Sequence, residues 1–388
     1  MTDFLLESPI AVRQMLVDRF GKPEQDPLSP YERVSTALAN KQPDRVPFDF
    51  WAVPETIEKL QNYLGIAPTP GVENGAQVLS EELLRLLGVD CRIVEPDYVG
   101  PAQETFEDGT FFTAWGSHRR IVRNEYSSYE EYASFPLESA QTRSQVENWP
   151  RWPKAEYYDW SRLVEKIQGL NANVRYHIRV DVGGIFESSW ALLGLERFLV
   201  DLHQNPEVPC AIMDCYTDIM IQNVERMMAA GAGLIDMVYT YDDVAVQNGL
   251  LMSPAMWRKF ILPRHQRLNK VIKQHDVKIL YHSCGGIYPL IGALIDEMGI
   301  DVLNPLQPRA RYMDMQRIKD EFGSRVGFHG GIDLQKTLPS GSPAEVEAEV
   351  RERCSILGKG GGYICTSAHY LQADIPTENI MAMYLSPR

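Results

Sequence analysis

The chain has 388 residues, 44% of them hydrophobic and 23% charged, and a formal net charge of −14. This is ordinary globular composition, and the excess of acid argues against nucleic acid or an anionic membrane surface as a partner. No apolar run is long enough to span a bilayer, the first seven residues lack a secretory leader's basic and apolar regions, and the six cysteines are scattered with no CxxC, all of which points to a cytoplasmic protein with reduced thiols.

In chain order, residues 1–44 read as an amphipathic helical segment, with Ser29 as an N-cap and Pro30 at the first helical position. Residues 44–51 give a first short strand, 79–87 a helix and 89–94 a second strand. Over 97–170 the rhythm breaks. Residues 104–113 carry a hairpin signal with Asp108-Gly109 at the turn, and acidic, aromatic helices are expected over 126–132 and 150–158. This stretch reads as an insertion. Strands then recur over 176–181, 234–240, 277–282, 301–304, 325–329 and 362–366, with helices between them. Eight strands alternating with helices point to a closed (β/α)8 barrel, one α/β domain over residues 1–388. A doubly wound open sheet is the alternative, and no glycine-rich phosphate turn follows any strand to support its nucleotide-binding form.

A barrel of this kind places its chemistry at the C-terminal ends of the strands. There the chain offers Asp49 and Trp51 on strand one and Asp181 on strand three. Strand four offers Tyr239, Asp242 and Asp243, strand six Asn304 and Gln307, and strand seven His329. Strand five ends in His282-Ser283-Cys284, followed by Gly285-Gly286. Side chains two apart on a strand share a face, so an imidazole and a thiol would stand together at its tip. That is half of a zinc site, against the competing reading of a hydrogen-bonded histidine and a buried thiol. On strand eight Cys365, Ser367 and His369 share a parity, so each could face inward. Strands five and eight face each other across the mouth of a closed barrel. A third ligand from strand eight would leave zinc's fourth position open, as catalysis requires. Asp242 and Asp243 are adjacent and point to opposite faces, so at most one enters the pocket.

Several segments are familiar as a set. They are Glu32-Arg33-Val34, Pro43-Asp44-Arg45-Val46-Pro47, Tyr281-His282-Ser283-Cys284-Gly285-Gly286, Asp301-Val302-Leu303-Asn304-Pro305-Leu306-Gln307-Pro308, His329-Gly330-Gly331-Ile332-Asp333 and Pro376-Thr377-Glu378-Asn379-Ile380. Together they resemble the uroporphyrinogen decarboxylase superfamily over residues 30–384, apart from the insertion. The true decarboxylases of that superfamily use no cofactor and carry an arginine-rich Met-Arg-Gln-Ala-Gly-Arg segment near the first strand. Here that place reads Val46-Pro47-Phe48-Asp49-Phe50-Trp51, without arginine. The superfamily's cobamide-dependent methyltransferases hold zinc with a His-x-Cys pair and a later cysteine. The resemblance therefore implies zinc at His282 and Cys284, with a third ligand at His369 or Cys365. The register counted back from Pro376 puts the family's cysteine position on His369. Depth agrees, because Cys365 lies roughly 13 Å further down an extended strand.

The resemblance implies methyl transfer between a methyl-corrinoid (methylcobalamin) partner protein and a small acceptor, a thiol or tetrahydrofolate. Such a chain could serve an O-demethylase system. Asp242, Asp243 and His329 are then the catalytic candidates, and Asp49, Trp51, Asp181, Tyr239, Asn304 and Gln307 the substrate-binding ones. A homodimer is compatible with this reading. The alternative is a metal-free decarboxylase or lyase acting on a small acid.

Overall fold

The computed structural model describes residues 8–68, 72–73, 76–77, 79–231 and 233–386. The first seven residues of the expected helical segment lie outside that range. Within it, helices Pro9–Phe20 and Pro30–Leu38 form. Ser29 caps the second in a reciprocal box with Glu32, and Pro30 follows where a missing amide costs nothing.

Seven parallel strands make the central sheet: β1 (Cys91–Ile93), β2 (His177–Gly184), β3 (Met237–Tyr241), β4 (Lys278–His282), β5 (Val302–Leu306), β6 (Gly327–Ile332) and β7 (Tyr363–Ser367). Each pairs with its neighbours in chain order, from β1 at one edge to β7 at the other. The expected first strand closes the ring but is reduced to isolated bridges, at Phe48 and at Ala52. Phe48 pairs with Cys365 of β7, and Asp90 donates its amide to the Phe48 carbonyl at 2.8 Å. Pro47 has no amide to give, and Asp49 turns its own carboxylate onto the Phe50 amide at 2.8 Å, so a ladder cannot extend there. The result is the (β/α)8 barrel, with its chain order and helical surround. Among the described residues no helix is long and apolar enough to cross a membrane.

Inside the ring, Cys91, Met237, Tyr239, Leu280, Val302 and Ile364 pack into one cluster, with Val34 at one end and Trp51 at the other. The outer faces meet the helices in a second, larger core. The lower end is tied by Arg33, fully buried, which bonds Asp44 at 2.7 Å, Asp90 at 2.6 Å and Asp26 at 2.8 Å. Arg45 adds two bonds to Asp90 at 2.7 and 2.9 Å. Two arginines and three aspartates thus pair in one network, and burying an arginine demands such pairing.

The insertion differs from expectation. Thr105 bridges Phe111 across the Asp108-Gly109 turn as foreseen. The helix expected over 126–132 is instead strand Ser128–Ser134, paired antiparallel to His118–Arg123. Asn124 accepts the amides of Tyr126 and Ser127 and turns the chain back, and the tyrosines then suit a half-exposed sheet. Over 150–158 only a 3-10 turn, Ala155–Tyr157, survives, because Pro150 and Pro153 break helical hydrogen bonding.

Candidate functional site

β4 alternates as its burial requires: Leu280 points into the barrel, Tyr281 outward, and His282 inward again at the strand tip. The chain then turns. Gly285 has φ of 87°, and a Cβ there would come within 2.7 Å of the Val246 carbonyl, so only glycine fits. Two side chains hold the turn. Asp243 accepts the Cys284 amide at 2.6 Å, and Gln307 accepts the Gly285 amide at 2.7 Å. Cys284 Sγ is thereby set 3.4 Å from His282 Nε2, and Gln307 Nε2 donates to the same sulfur at 3.4 Å.

His369 completes the group. One donor atom from each of His282, Cys284 and His369 lies within 4.8 Å of the others. β7 ends at Ser367, and Ser367 Oγ donates to the His369 carbonyl at 2.5 Å, so His369 sits on a bend above the strand. Strand parity no longer applies to it. Parity misplaces Cys365 as well: Ile364 is the β7 residue in the inner cluster, while Cys365 is fully buried in the outer one. The structure therefore does not bring Cys365 to His282 and Cys284.

The donor chemistry fits zinc. A tetrahedral ion bound to one nitrogen and one sulfur holds them about 3.6 Å apart, close to the separation of His282 Nε2 and Cys284 Sγ. His282 Nδ1 is engaged by Asn304 Oδ1 at 2.5 Å, which leaves Nε2 for the ion. Burial, with the neighbouring His282 charge, lowers the His369 pKa to about 4, so its imidazole stands neutral and ready to ligate. The Tyr370 amide donates to His369 Nδ1 at 2.8 Å, a bond that ligation through either nitrogen would exchange. Without an ion, burial works against a charged His282, but the Asp243 carboxylate and the Cys284 sulfur outweigh it and raise its pKa well above the ordinary value. Burial raises the Cys284 thiol, against the pull of His282.

The other expected residues lie at different depths around this group. Asp243 is at the group, its Oδ1 3.5 Å from His282 Nε2, and it is 38% exposed. Trp51 stacks on His282 with centroids 6.3 Å apart and contacts Tyr239 and His329, which with Asn304 form the floor. Asp49 lies below them, bonded to Arg179, Trp51 and His329. Asp242 turns away: it is fully buried, bonds His265 Nε2 at 2.5 Å and accepts the Glu187 amide at 3.0 Å. It anchors helix Leu262–Ile272 to the barrel. Asp181 stands beside Tyr239 in the β2–β3 register, and burial and Glu95 raise its pKa to about 7.

Three residues escaped the sequence reading. Glu187 accepts the Asp243 amide at 3.0 Å, and burial with Asp243 and Asp242 raises its pKa to about 7. It opens a helix rather than ending a strand, so no strand-tip signal marks it. Arg179 pairs with Asp49 at 2.5 Å and lies over Trp51 at 4.7 Å, and its shared parity with Asp181 could have found it. Tyr370, next to His369, packs on Trp51 at 5.5 Å.

Residues 138–386 match the family model described as uroporphyrinogen decarboxylase (URO-D). A methylated-thiol–coenzyme M methyltransferase of Methanosarcina mazei is 26% identical over 191 residues, 49% of this chain and 47% of that protein. A uroporphyrinogen decarboxylase of Syntrophotalea carbinolica is 24% identical over 195 residues, 48% of this chain and 49% of that protein. The chain spans about half the length of the curated relatives it matches. A solved methyltransferase from Methanosarcina mazei shares the fold at TM-score 0.62 and 19% identity, over 91% of this chain and 96% of that one.

Proposed function

The chain belongs to the uroporphyrinogen decarboxylase family, and from that premise we propose that it is a zinc-dependent methyltransferase. It would move a methyl group between a corrinoid carried on a partner protein and a small acceptor, a thiol or tetrahydrofolate, and could serve an O-demethylase system. The observation that carries this reading is the His282, Cys284 and His369 donor group at the barrel mouth.

His282 Nε2, Cys284 Sγ and a His369 nitrogen would hold the ion. Bound zinc supplies Lewis acidity, which lowers the pKa of a coordinated acceptor. The chain's own groups do the rest. Gln307 steadies the Cys284 sulfur through its amide N–H. Asp243, whose pKa is lowered by its bond to His282 in spite of burial, is placed to orient the acceptor. Glu187, with its pKa raised to about 7, can take or return the acceptor's proton near neutrality. Trp51, Tyr239 and Tyr370 wall the group and keep water from a nucleophile formed there.

The test is absorbance of methylcobalamin mixed with the enzyme and candidate acceptors. The reading predicts acceptor-dependent loss of the methyl-corrinoid spectrum that chelation abolishes and zinc restores. Decarboxylation of a small acid by chelated protein, with no effect on methylcobalamin, would replace this reading with the metal-free alternative.

A further inference from the structure

We infer that His329, held between Asp49 and Asn304, is a positioning residue that fixes which nitrogen of His282 is offered to a metal; the inference rests on the metal-site reading above. One line of side chains fixes where each hydrogen sits. Asp49 is buried and accepts from Arg179 Nη1 at 2.5 Å and from Trp51 Nε1 at 2.8 Å. Burial opposes its charge, but Arg179 and His329 overcome this and hold the carboxyl far below the usual range. An ionised carboxylate only accepts. His329 Nε2, 3.0 Å away, must therefore carry the hydrogen.

Burial also lowers the His329 pKa, with Arg179 adding to that and Asp49 opposing it, and this net lowering favours the neutral ring. A neutral imidazole with hydrogen on Nε2 has a lone pair on Nδ1. That nitrogen lies 2.6 Å from Asn304 Nδ2, which donates to it. The amide orientation of Asn304 follows, and its Oδ1 must face His282. Asn304 Oδ1 accepts from His282 Nδ1 at 2.5 Å. His282 Nε2 is then the nitrogen facing Cys284, and any proton on it is the one a metal displaces. The polarity of the whole line is set by one carboxylate at its far end. Reversing any link would put the permanent hydrogen on the nitrogen that has to bind.

Two variants test this. His329→Phe keeps the ring and removes both bonds, which frees Asn304 to rotate. His329→Gln keeps an acceptor for Asn304 and a donor for Asp49. Zinc affinity is measured by chelator competition, with metal-free melting curves as the folding control. Losing a hydrogen-bonded partner behind a metal-bound histidine lowers affinity about 10–100-fold, which is expected of H329F, while H329Q should stay near wild type. The imidazole 15N spectrum of wild-type zinc-loaded protein tests the same point without any variant. Hydrogen on His329 Nε2 and on His282 Nδ1 supports the inference, and hydrogen on His329 Nδ1 overturns it. Wild type that binds zinc while folded H329F binds it equally well overturns this inference alone. Wild type that takes up no zinc overturns the metal-site reading, and this inference with it.

Discussion

Replacing His369 and Cys365 one at a time separates the two candidates for the third ligand. A structural zinc site with four protein ligands binds with about 10–16 kcal/mol, so an average ligand carries about 2.5–4 kcal/mol. His369→Ala should therefore weaken zinc by about 10²–10³-fold, since each tenfold is about 1.4 kcal/mol. Its effect on folding should be small, because the side chain sits on a bend at the mouth rather than in the core. Cys365→Ala acts in the opposite way. The thiol is fully buried in the outer core, away from the donor group. Removing one heavy atom there costs about 1–2 kcal/mol of stability through lost transfer energy and a small cavity. Zinc affinity should not change. The assays are chelator competition for zinc and denaturant unfolding of the metal-free proteins. A Cys365→Ala protein that arrives metal-free, beside a His369→Ala protein that keeps its zinc, would refute the assignment.

Other outcomes follow from the same geometry. Arg33→Met leaves Asp44 without its main buried partner and Asp90 with Arg45 alone, and should cost about 3–5 kcal/mol, read as a fall in the unfolding midpoint. Gly285→Ala forces a left-handed residue and a 2.7 Å contact with the Val246 carbonyl, so it should displace Cys284 and lose zinc while the barrel still folds. Asp181 has a folded pKa raised to about 7, so the folded state holds a proton that the unfolded chain releases near its ordinary value of about 3.9. Its contribution to stability is thus present at low pH and is lost as pH rises through about 7. Asp181→Asn should lose less stability than wild type between pH 5 and pH 8, measured by urea midpoints; equal losses would remove Asp181 as the cause.

The barrel was legible because each βα unit repeats the same apolar run and helix. The strand tips were legible for the same reason: polar residues stand out at or just past the ends of runs, as His282 does in Lys278–His282 and Gln307 after Val302–Leu306. Spacing placed His282 and Cys284 together at one strand tip, as the structure does, while a metal pair and a hydrogen-bonded pair were both compatible with that spacing. His369 did not, since it lies past the end of β7, where a two-residue period has no meaning. That failure also misplaced Cys365, because inward parity was extended from the bend back into the strand. The insertion was misread where local composition favoured helix but an Asn124 turn and strand His118–Arg123 offered pairing instead. The line from Asp49 to His282 joins residues up to 280 positions apart, and no local pattern carries such a link.

The most direct test of the central claim is X-ray absorption at the zinc edge of protein grown with zinc and purified without chelator. The account predicts about one zinc per chain with one sulfur and two imidazole nitrogens from the protein, plus one exchangeable light-atom ligand. A zinc-free protein would contradict it, and so would two sulfurs per zinc, which would return Cys365 to the site in place of His369.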